Sequence, residues 1–249
     1  MNHLQHYFEN NTGRLIHKWS HYFDVYDRHF HRFRDQEIVI LEIGVSQGGS
    51  LQMWKDYFGP KAKIYGIDID PACKSLEEDN IEIFIGSQSD RDFLRLVKKQ
   101  IPKVDILIDD GGHTMTQQIV SFEELFDHVK DKGVYLCEDM HTSYWIKFGG
   151  GYRRSGSFIE YSKNFVDYIN AWHSHQKGLK VSDFTRSVDS VHFYDSIVVL
   201  EKKPRQPPDH KKTGSYSFPV EPGKEGLSGR FFYYLNYILR FFRLPSIQY

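Results

Sequence analysis

The chain has 249 residues, enough for one large domain with additions, and a formal net charge of -1. Near neutrality argues against a general polyanion binder, so no nucleic-acid partner is expected. Two cysteines are too few for a disulfide scaffold.

No stretch reaches the roughly 18 uninterrupted apolar residues of a membrane-spanning helix. The start of the chain has no apolar segment behind a charged one. No signal peptide is therefore predicted, and a cytoplasmic location is expected.

Residues 1–36 are rich in His, Tyr, Phe and Arg and are predicted to form a helical extension. An amphipathic helix is predicted near residues 13–31, because large apolar side chains recur there at helical spacing. They are Leu15, Trp19, Tyr22, Phe23 and Tyr26. This stripe is expected to pack against the main domain or a second subunit, and the alternative is that part of it faces a substrate.

Short apolar runs that alternate with helical patterns predict a mostly parallel sheet with right-handed crossovers. The predicted strands are residues 37–45, 63–67, 81–85, 104–108 and 133–137, and the predicted helices lie near 50–58, 90–100, 114–130 and 157–176. Residues 191–194 and 197–200 flank a two-residue turn, which predicts an antiparallel hairpin. The predicted fold class is α/β: a Rossmann-like, doubly wound, mostly parallel seven-stranded sheet with a reversed C-terminal strand, spanning residues 37–203.

The end of the chain is predicted to lie outside this domain. Residues 204–229 are rich in Pro, Gly, Lys and Ser, which indicates a linker, and residues 230–249 are predicted as an aromatic helix. Its polar stripe is thin, and a helix this apolar is not stable alone in water. We expect it to pack on its own domain or on a second subunit of a homo-oligomer. The alternative is a peripheral membrane contact, since aromatic and arginine side chains suit the headgroup boundary.

A glycine-rich loop after the first strand predicts a cofactor site, because backbone N–H groups in such a loop can approach a ligand closely. Its pattern, E-x-G-x-x-x-G-G-S from Glu42 to Ser50, differs from the dinucleotide fingerprint G-x-G-x-x-G. Asp68 ends the second strand, where a carboxylate can accept both hydroxyls of a ribose. These features favour S-adenosylmethionine over NAD or ATP, and the alternative is a turn without a ligand. The predicted contacts are Glu42, Gly44, Ser46, Gly49, Ser50 and Asp68.

Acidic residues and histidines follow two neighbouring strands. Asp109-Asp110-Gly111-Gly112-His113 follows the fourth strand, and Glu138-Asp139-Met140-His141 follows the fifth. The carboxyl ends of parallel strands share one rim of a sheet, so four carboxylates are expected together. They repel one another unless a cation gathers them, and oxygen ligands suit Mg²⁺ before Zn²⁺. The alternatives are helix capping by Asp109 and Asp110, an ion pair at Asp139, and a hydrogen-bonded turn at His113.

Six stretches carry a resemblance to a known family. They are residues 41–44, 48–51, 66–69, 108–113, 138–145 and 192–197. They resemble the class I S-adenosylmethionine-dependent methyltransferases. Within that class they are similar to the metal-dependent sugar O-methyltransferases of macrolide antibiotic pathways and to the related cephalosporin-hydroxylase-like proteins. The resemblance covers about residues 37–203, and its most specific part is the string E-D-x-H-T-S-Y-W at 138–145.

The resemblance implies roles for individual residues. It implies Mg²⁺ ligands at Asp110, Glu138 and Asp139 and a general base at His113. It further implies that Asp109 lies at the methionine end of the cofactor. Gln88 would lie near the adenine.

The expected chemistry is methyl transfer to a hydroxyl. A sugar hydroxyl is a very weak acid, and a metal that coordinates it lowers its pKa and fixes it for attack. His113 can then take the proton. His141 is expected to support the metal ligands or to contact substrate. Tyr144 and Trp145 are expected to form an apolar wall against a sugar ring, with core packing as the alternative.

The leading hypothesis is a Mg²⁺-dependent O-methyltransferase that acts on a sugar hydroxyl of a natural product or polysaccharide. One alternative is a methyltransferase for a catechol-like or amine small-molecule acceptor. Another is a catalytically inactive, cofactor-binding partner subunit. The intact acids and histidine argue against the last alternative.

Overall fold

The computed structural model of the chain describes residues 1–218, 227–242 and 244–247, with backbone only at 227–230. The chain divides into two compact units, Met1–Pro208 and Asp209–Tyr249. The first unit includes the N-terminal residues, whose Leu4, Tyr22 and Phe30 are fully buried in its core. It also includes residues 204–208, which the sequence analysis assigned to the linker.

The first unit contains a seven-stranded sheet in the order β3-β2-β1-β4-β5-β7-β6. The strands are β1 (Val39–Ile43), β2 (Lys63–Asp68), β3 (Ile81–Ile85), β4 (Val104–Asp109), β5 (Val129–Cys137), β6 (Val188–Tyr194) and β7 (Ile197–Lys202). The helices are α1 (His3–Glu9), α2 (Tyr22–Phe30), α3 (Gly49–Phe58), α4 (Arg91–Gln100), α5 (Met115–Leu125), α6 (Phe158–Ile169) and α7 (Asp183–Ser187). Strands β1 to β5 pair in parallel, and β7 is antiparallel to both its neighbours. The predicted α/β sheet with one reversed strand is confirmed.

The central strands are apolar because helices cover both faces of the sheet. In β4, Ile106, Leu107 and Ile108 are fully buried. The turn after β4 leads into α5, which begins at a capping box: the N–H of Gln117 donates to the Thr114 hydroxyl, and the N–H of Thr114 donates to the Gln117 side chain. This cap fixes where the acidic turn between β4 and α5 ends.

The helix predicted near residues 13–31 is wrong in its first half. Residues 10–21 form turns and loop, and α2 begins only at Tyr22. The large residues of α2 are buried, as the stripe predicted, but Leu15 and Trp19 are 67% and 52% exposed. The loop instead brings Lys18 into the domain, where its side chain is buried. The short helix α1, capped by Asn2, was not predicted.

Other predicted boundaries also shift. Helix α5 ends at Leu125 rather than near 130, because a tight turn follows in which the His128 ring bonds to the carbonyl of Pro102 at 3.0 Å. Strand β5 therefore begins at Val129. Helix α6 ends at Ile169, seven residues before its predicted end near 176.

The second unit contains helix α8 (Leu227–Phe241), which overlaps the predicted C-terminal helix. The Asn236 side chain exchanges two hydrogen bonds with the backbone of Ile247, so the chain turns back along the helix after it ends. Residues 219–226 of the predicted linker, and 243 and 248–249 of the predicted helix, lie outside the described residues. Within the described part of the chain, no helix is long and apolar enough to cross a membrane.

Candidate active site

A cavity of about 220 Å³ opens beyond the carboxyl ends of the strands, around the point between β1 and β4 where the strand order reverses. Four predicted cofactor residues lie in its wall: Gly44, Ser46, Asp68 and Gln88. The remaining wall residues are Ile43, Ile67, Ile69, Gly86, Ser87, Asp110, Gly111, Gly112 and Gln117.

The loop after β1 is held by Asp68. One oxygen of its carboxylate accepts the N–H groups of Val45 at 2.9 Å and Ser46 at 2.8 Å, and the other accepts the N–H of Asp70 at 2.9 Å. A carboxylate has about four acceptor positions, so Asp68 retains capacity for a ligand in the cavity. Gly44 has a φ of +96°, and a Cβ there would lie 2.0 Å from the carbonyl oxygen of Asp110. Only glycine fits that position.

The predicted cofactor residues Glu42 and Gly49 do not line this cavity and lie behind its wall. Glu42 is fully buried in β1 and accepts a hydrogen bond from the Ser50 hydroxyl at 2.9 Å. Burial raises the pKa of Glu42 to about 7. A Cβ at Gly49 would lie 2.3 Å from the carbonyl of Leu15, so Gly49 permits close packing of the N-terminal loop on α3.

Asp109 is likewise buried and links the cavity wall to α5. It accepts hydrogen bonds from the Gln88 amide at 3.0 Å and from the Ser121 hydroxyl, and burial raises its pKa to about 6. Gln88 also accepts the N–H of Gly112 at 2.6 Å. The Gln88 side chain therefore connects the turn after β3 to the turn after β4.

The acidic cluster lies beside this cavity, where β4 and β5 end next to each other. His113 Nε2 is 3.4 Å from Asp139 Oδ2 and 3.8 Å from Asp110 Oδ1. Ligand atoms of these three residues lie within 4.8 Å of one another. The hydroxyl of Tyr22 donates to the other oxygen of Asp139 at 2.7 Å. Of the four acids expected together, Asp110 and Asp139 thus lie around His113. Asp109 bonds to Gln88 and Ser121 instead.

Lys18 is the residue of the site that the sequence analysis missed. Its Nζ lies 2.5 Å from Asp110 Oδ2, 2.9 Å from each oxygen of Glu138 and 3.8 Å from Glu42 Oε1. Its side chain is only 2% exposed. Burial alone would lower the pKa of Lys18, but the three carboxylates outweigh burial and raise it. Burial and the neighbouring Asp110 raise the pKa of Glu138 well above its usual value.

The cluster also faces a second cavity of about 230 Å³, which the N-terminal loop helps to form. This cavity is lined by Leu15, Ile16, His17, Lys18, Gly44, Val45, Ser46, Ser50, Asp110, Gly111, His113 and Asp139. Two of the predicted metal ligands, the predicted base and the predicted cofactor residue Ser50 therefore share one wall. The two cavities meet at residues that line both, among them Gly44 and Asp110.

Aromatic side chains stand at the edge of the cluster. The His141 ring lies between Trp19 and Trp145, with ring centroids 5.6 Å and 4.6 Å away, and its Nδ1 is 2.5 Å from the Ser196 hydroxyl. Trp145 is 51% and Tyr144 48% exposed, so neither is a core residue. For Trp19, packing on the domain or a partner was expected, with a substrate-facing position as the alternative, and it lies here beside His141.

The chain is similar to known sugar O-methyltransferases. Mycinamicin VI 2''-O-methyltransferase of Micromonospora griseorubida is 36% identical over 188 residues, which are 71% of this chain and 47% of that protein. 8-demethyl-8-alpha-L-rhamnosyl tetracenomycin-C 2'-O-methyltransferase of Streptomyces olivaceus is 36% identical over 201 residues, 75% of this chain and 52% of that protein. No family model matches the chain.

A solved structure agrees with these relatives. It is MycE methyltransferase from the mycinamycin biosynthetic pathway in complex with Mg, SAH and mycinamycin VI. It matches with a TM-score of 0.71 and 33% identity, over 81% of this chain and 53% of that one. The chain is homologous to these sugar O-methyltransferases. It has the class I S-adenosylmethionine-dependent methyltransferase fold. It spans about half the length of the curated relatives that it matches.

The donor set of this methyltransferase fold suits a hard divalent cation. Asp110 and Asp139 offer carboxylate oxygens beside the imidazole of His113, and oxygen donors are those that Mg²⁺ prefers. Glu138, also predicted as a ligand, has both oxygens on the ammonium of Lys18. Asp110, Asp139 and His113 therefore fit such a cation, and the ammonium of Lys18 lies between Glu138 and Asp110.

Proposed function

We propose that this protein is a Mg²⁺-dependent O-methyltransferase that transfers the methyl group of S-adenosylmethionine to a sugar hydroxyl of a natural product or polysaccharide. The observation that carries the proposal is the position of Asp110, His113 and Asp139. Asp110 lines both the cavity at the sheet's switch point and the second cavity, and His113 and Asp139 line the second cavity beside it. A cofactor in the first and an acceptor in the second would meet at these residues.

In this proposal the cofactor is held by the wall of the first cavity. The Asp68 carboxylate, with one acceptor position left, accepts a ribose hydroxyl, and the backbone of the loop at Gly44 and Ser46 lies against the ligand. Gln88, held in place by hydrogen bonds with Asp109 and Gly112, forms the part of the wall next to the adenine ring. Burial behind the wall keeps Glu42 and Asp109 from direct contact, so their role is to hold Ser50 and Gln88 in position.

The acceptor side would be built by the acidic cluster and its aromatic edge. A bound Mg²⁺ lowers the pKa of an acceptor hydroxyl. Asp110 and Asp139 would hold that ion, and His113 Nε2, beside both carboxylates, would take the hydroxyl proton. Trp145 and Tyr144 expose apolar faces of the kind that pack on a sugar ring.

The test is turnover of S-adenosylmethionine with a panel of acceptors. The panel contains rhamnosylated polyketides, nucleotide-activated sugars, a catechol and a primary amine, each with Mg²⁺ or with a chelator. We expect S-adenosylhomocysteine to form only with a glycosylated acceptor and only with Mg²⁺. Product NMR then identifies the methylated hydroxyl. Equal turnover in chelator would refute the metal dependence, and turnover of the catechol or amine alone would refute the sugar acceptor.

We also propose that the C-terminal unit mediates association, with a second copy of the chain as the expected partner. On α8, the side chains of Tyr234, Tyr237 and Phe241 are 66%, 63% and 82% exposed. The test compares the full chain with a truncation after Pro208, because the side chain of Arg205 still bonds to the first unit. Light scattering should show a smaller assembly for the truncated form. Flotation of only the full chain with anionic liposomes would instead assign the unit to a membrane surface.

A further inference from the structure

Lys18 places a positive charge at the centre of the acidic cluster. Its ammonium contacts three oxygens from two predicted metal ligands, Asp110 and Glu138. It reaches them from a loop, whereas both carboxylates follow strands of the sheet. The carboxylates are therefore held at the ends of two strands, and the cation that balances them comes from a loop outside the sheet.

The ammonium and a divalent ion cannot occupy the same position between Asp110 and Glu138 at once. Mg²⁺ binds carboxylate oxygens at about 2.0–2.1 Å. An ion at that distance from Asp110 Oδ2 and from Glu138 would lie close to the position that Nζ occupies, 2.5–2.9 Å from the same atoms. Two cations that close would also repel one another strongly. An ion that joins Asp110 Oδ2 to Glu138 at this position therefore requires Nζ to leave.

We propose that Lys18 is an internal cation that neutralises Asp110 and Glu138 in the metal-free protein, and that a divalent ion binds by displacing its ammonium. The inference rests on the metal site of the proposed function. It explains how buried carboxylates stay together without an ion, since an unpaired buried charge is strongly destabilising. The apparent dissociation constant for the metal is then the intrinsic constant divided by the fraction of molecules in which Nζ has left the site.

The first test measures Mn²⁺ binding by electron paramagnetic resonance in the presence of S-adenosylhomocysteine. Lys18→Met removes the charge and keeps an unbranched side chain of similar length. Lys130→Met is the matched control, because Lys130 pairs with Asp105 at 2.8 Å near the opposite end of β4. We expect Lys18→Met to bind Mn²⁺ about tenfold more tightly or better, and Lys130→Met to match the wild type.

Equal Mn²⁺ affinity of Lys18→Met and the wild type would overturn the displacement while leaving the proposed metal site intact. Weaker binding by Lys18→Met would also overturn it. If neither protein binds Mn²⁺ although both bind S-adenosylhomocysteine, the metal-dependent function fails together with this inference.

A second measurement uses the unaltered protein, in case Lys18→Met does not fold. Reductive methylation followed by mass spectrometry reports how fast the Lys18 amine reacts, with Lys130 as the internal reference. Lys18 should be protected without metal, because its side chain is 2% exposed. Saturating Mg²⁺ should raise its rate at least severalfold relative to Lys130. An unchanged ratio would show that Nζ stays in place and would refute the proposal.

Discussion

Replacing Asp68 by alanine should weaken cofactor binding more than any other single change in the first cavity. The Asp68 carboxylate lines the cavity and also accepts three backbone N–H groups, two of them from the loop after β1. One ribose hydroxyl on the remaining acceptor position of this charged group contributes about 1.5–3 kcal/mol. That loss corresponds to an affinity roughly 10- to 150-fold lower. The loosened loop should add to it.

Calorimetry with S-adenosylhomocysteine measures this affinity directly. Asp70→Ala is the matched control, because Asp70 is two residues away, caps a short turn by accepting the N–H of Ala72, and lies outside the cavity wall. Thermal unfolding without ligand shows that each variant is folded at the assay temperature. An affinity of Asp68→Ala within about threefold of the wild type would refute the placement of the ribose at this carboxylate.

Three further changes probe the rest of the molecule. Asp139→Asn should abolish most Mg²⁺-dependent turnover and leave S-adenosylhomocysteine affinity unchanged; activity equal to the wild type would contradict a cation at this carboxylate. His113→Ala should lower the maximal rate by roughly 10²–10⁴ at unchanged Mn²⁺ affinity, and a near-normal rate in single-turnover assays would remove it as the base. Burial opposes ionisation of Glu201, but hydrogen bonds from His29 and Arg32 outweigh it and hold its pKa at about 2. Because this value lies below the ordinary 4.5, the ion pair stabilises the fold above pH 4.5 and the stabilisation is lost as pH falls toward 2. Urea unfolding at pH 7 should therefore give Glu201→Gln a free energy of unfolding about 2–3 kcal/mol below that of the wild type. This difference should narrow between pH 4.5 and pH 2. A difference independent of pH would contradict the lowered pKa of Glu201.

The sequence was sufficient to predict features that depend on local pattern. The apolar runs predict the strands, and the topology of a parallel sheet then predicts that Asp110, Asp139 and His113 meet at one rim. The role of Glu42 was harder to predict. The sequence placed it in the first strand but did not show to which face of the sheet its side chain points. Side chains alternate along a strand, so Glu42 shares the face of Ile40, which packs into the buried core.

Lys18 could not be found from spacing. Its partners lie 92 and 120 positions away, and no local pattern links a loop lysine to acids at that separation. Its neighbours Leu15 and Trp19 continued a helical stripe, which favoured a helix through the loop. The available signal was electrostatic: carboxylates expected at one buried rim require a cation, and a lysine is the alternative to a metal ion.

The backbone conformation of the acidic cluster limits how this protein can change over evolutionary time. His113 and Asp139 both have left-handed dihedrals, with φ of 56° and 54°. Asparagine and glycine accept this conformation readily, whereas bulky or β-branched residues incur about 1–3 kcal/mol of strain. The substitutions at position 139 that least disturb folding are therefore those that delete its charge. If the proposed function holds, a descendant relieved of selection for methyl transfer would lose the chemistry in one step and keep the fold. Inactive paralogues with an intact first cavity are then an accessible outcome for this architecture.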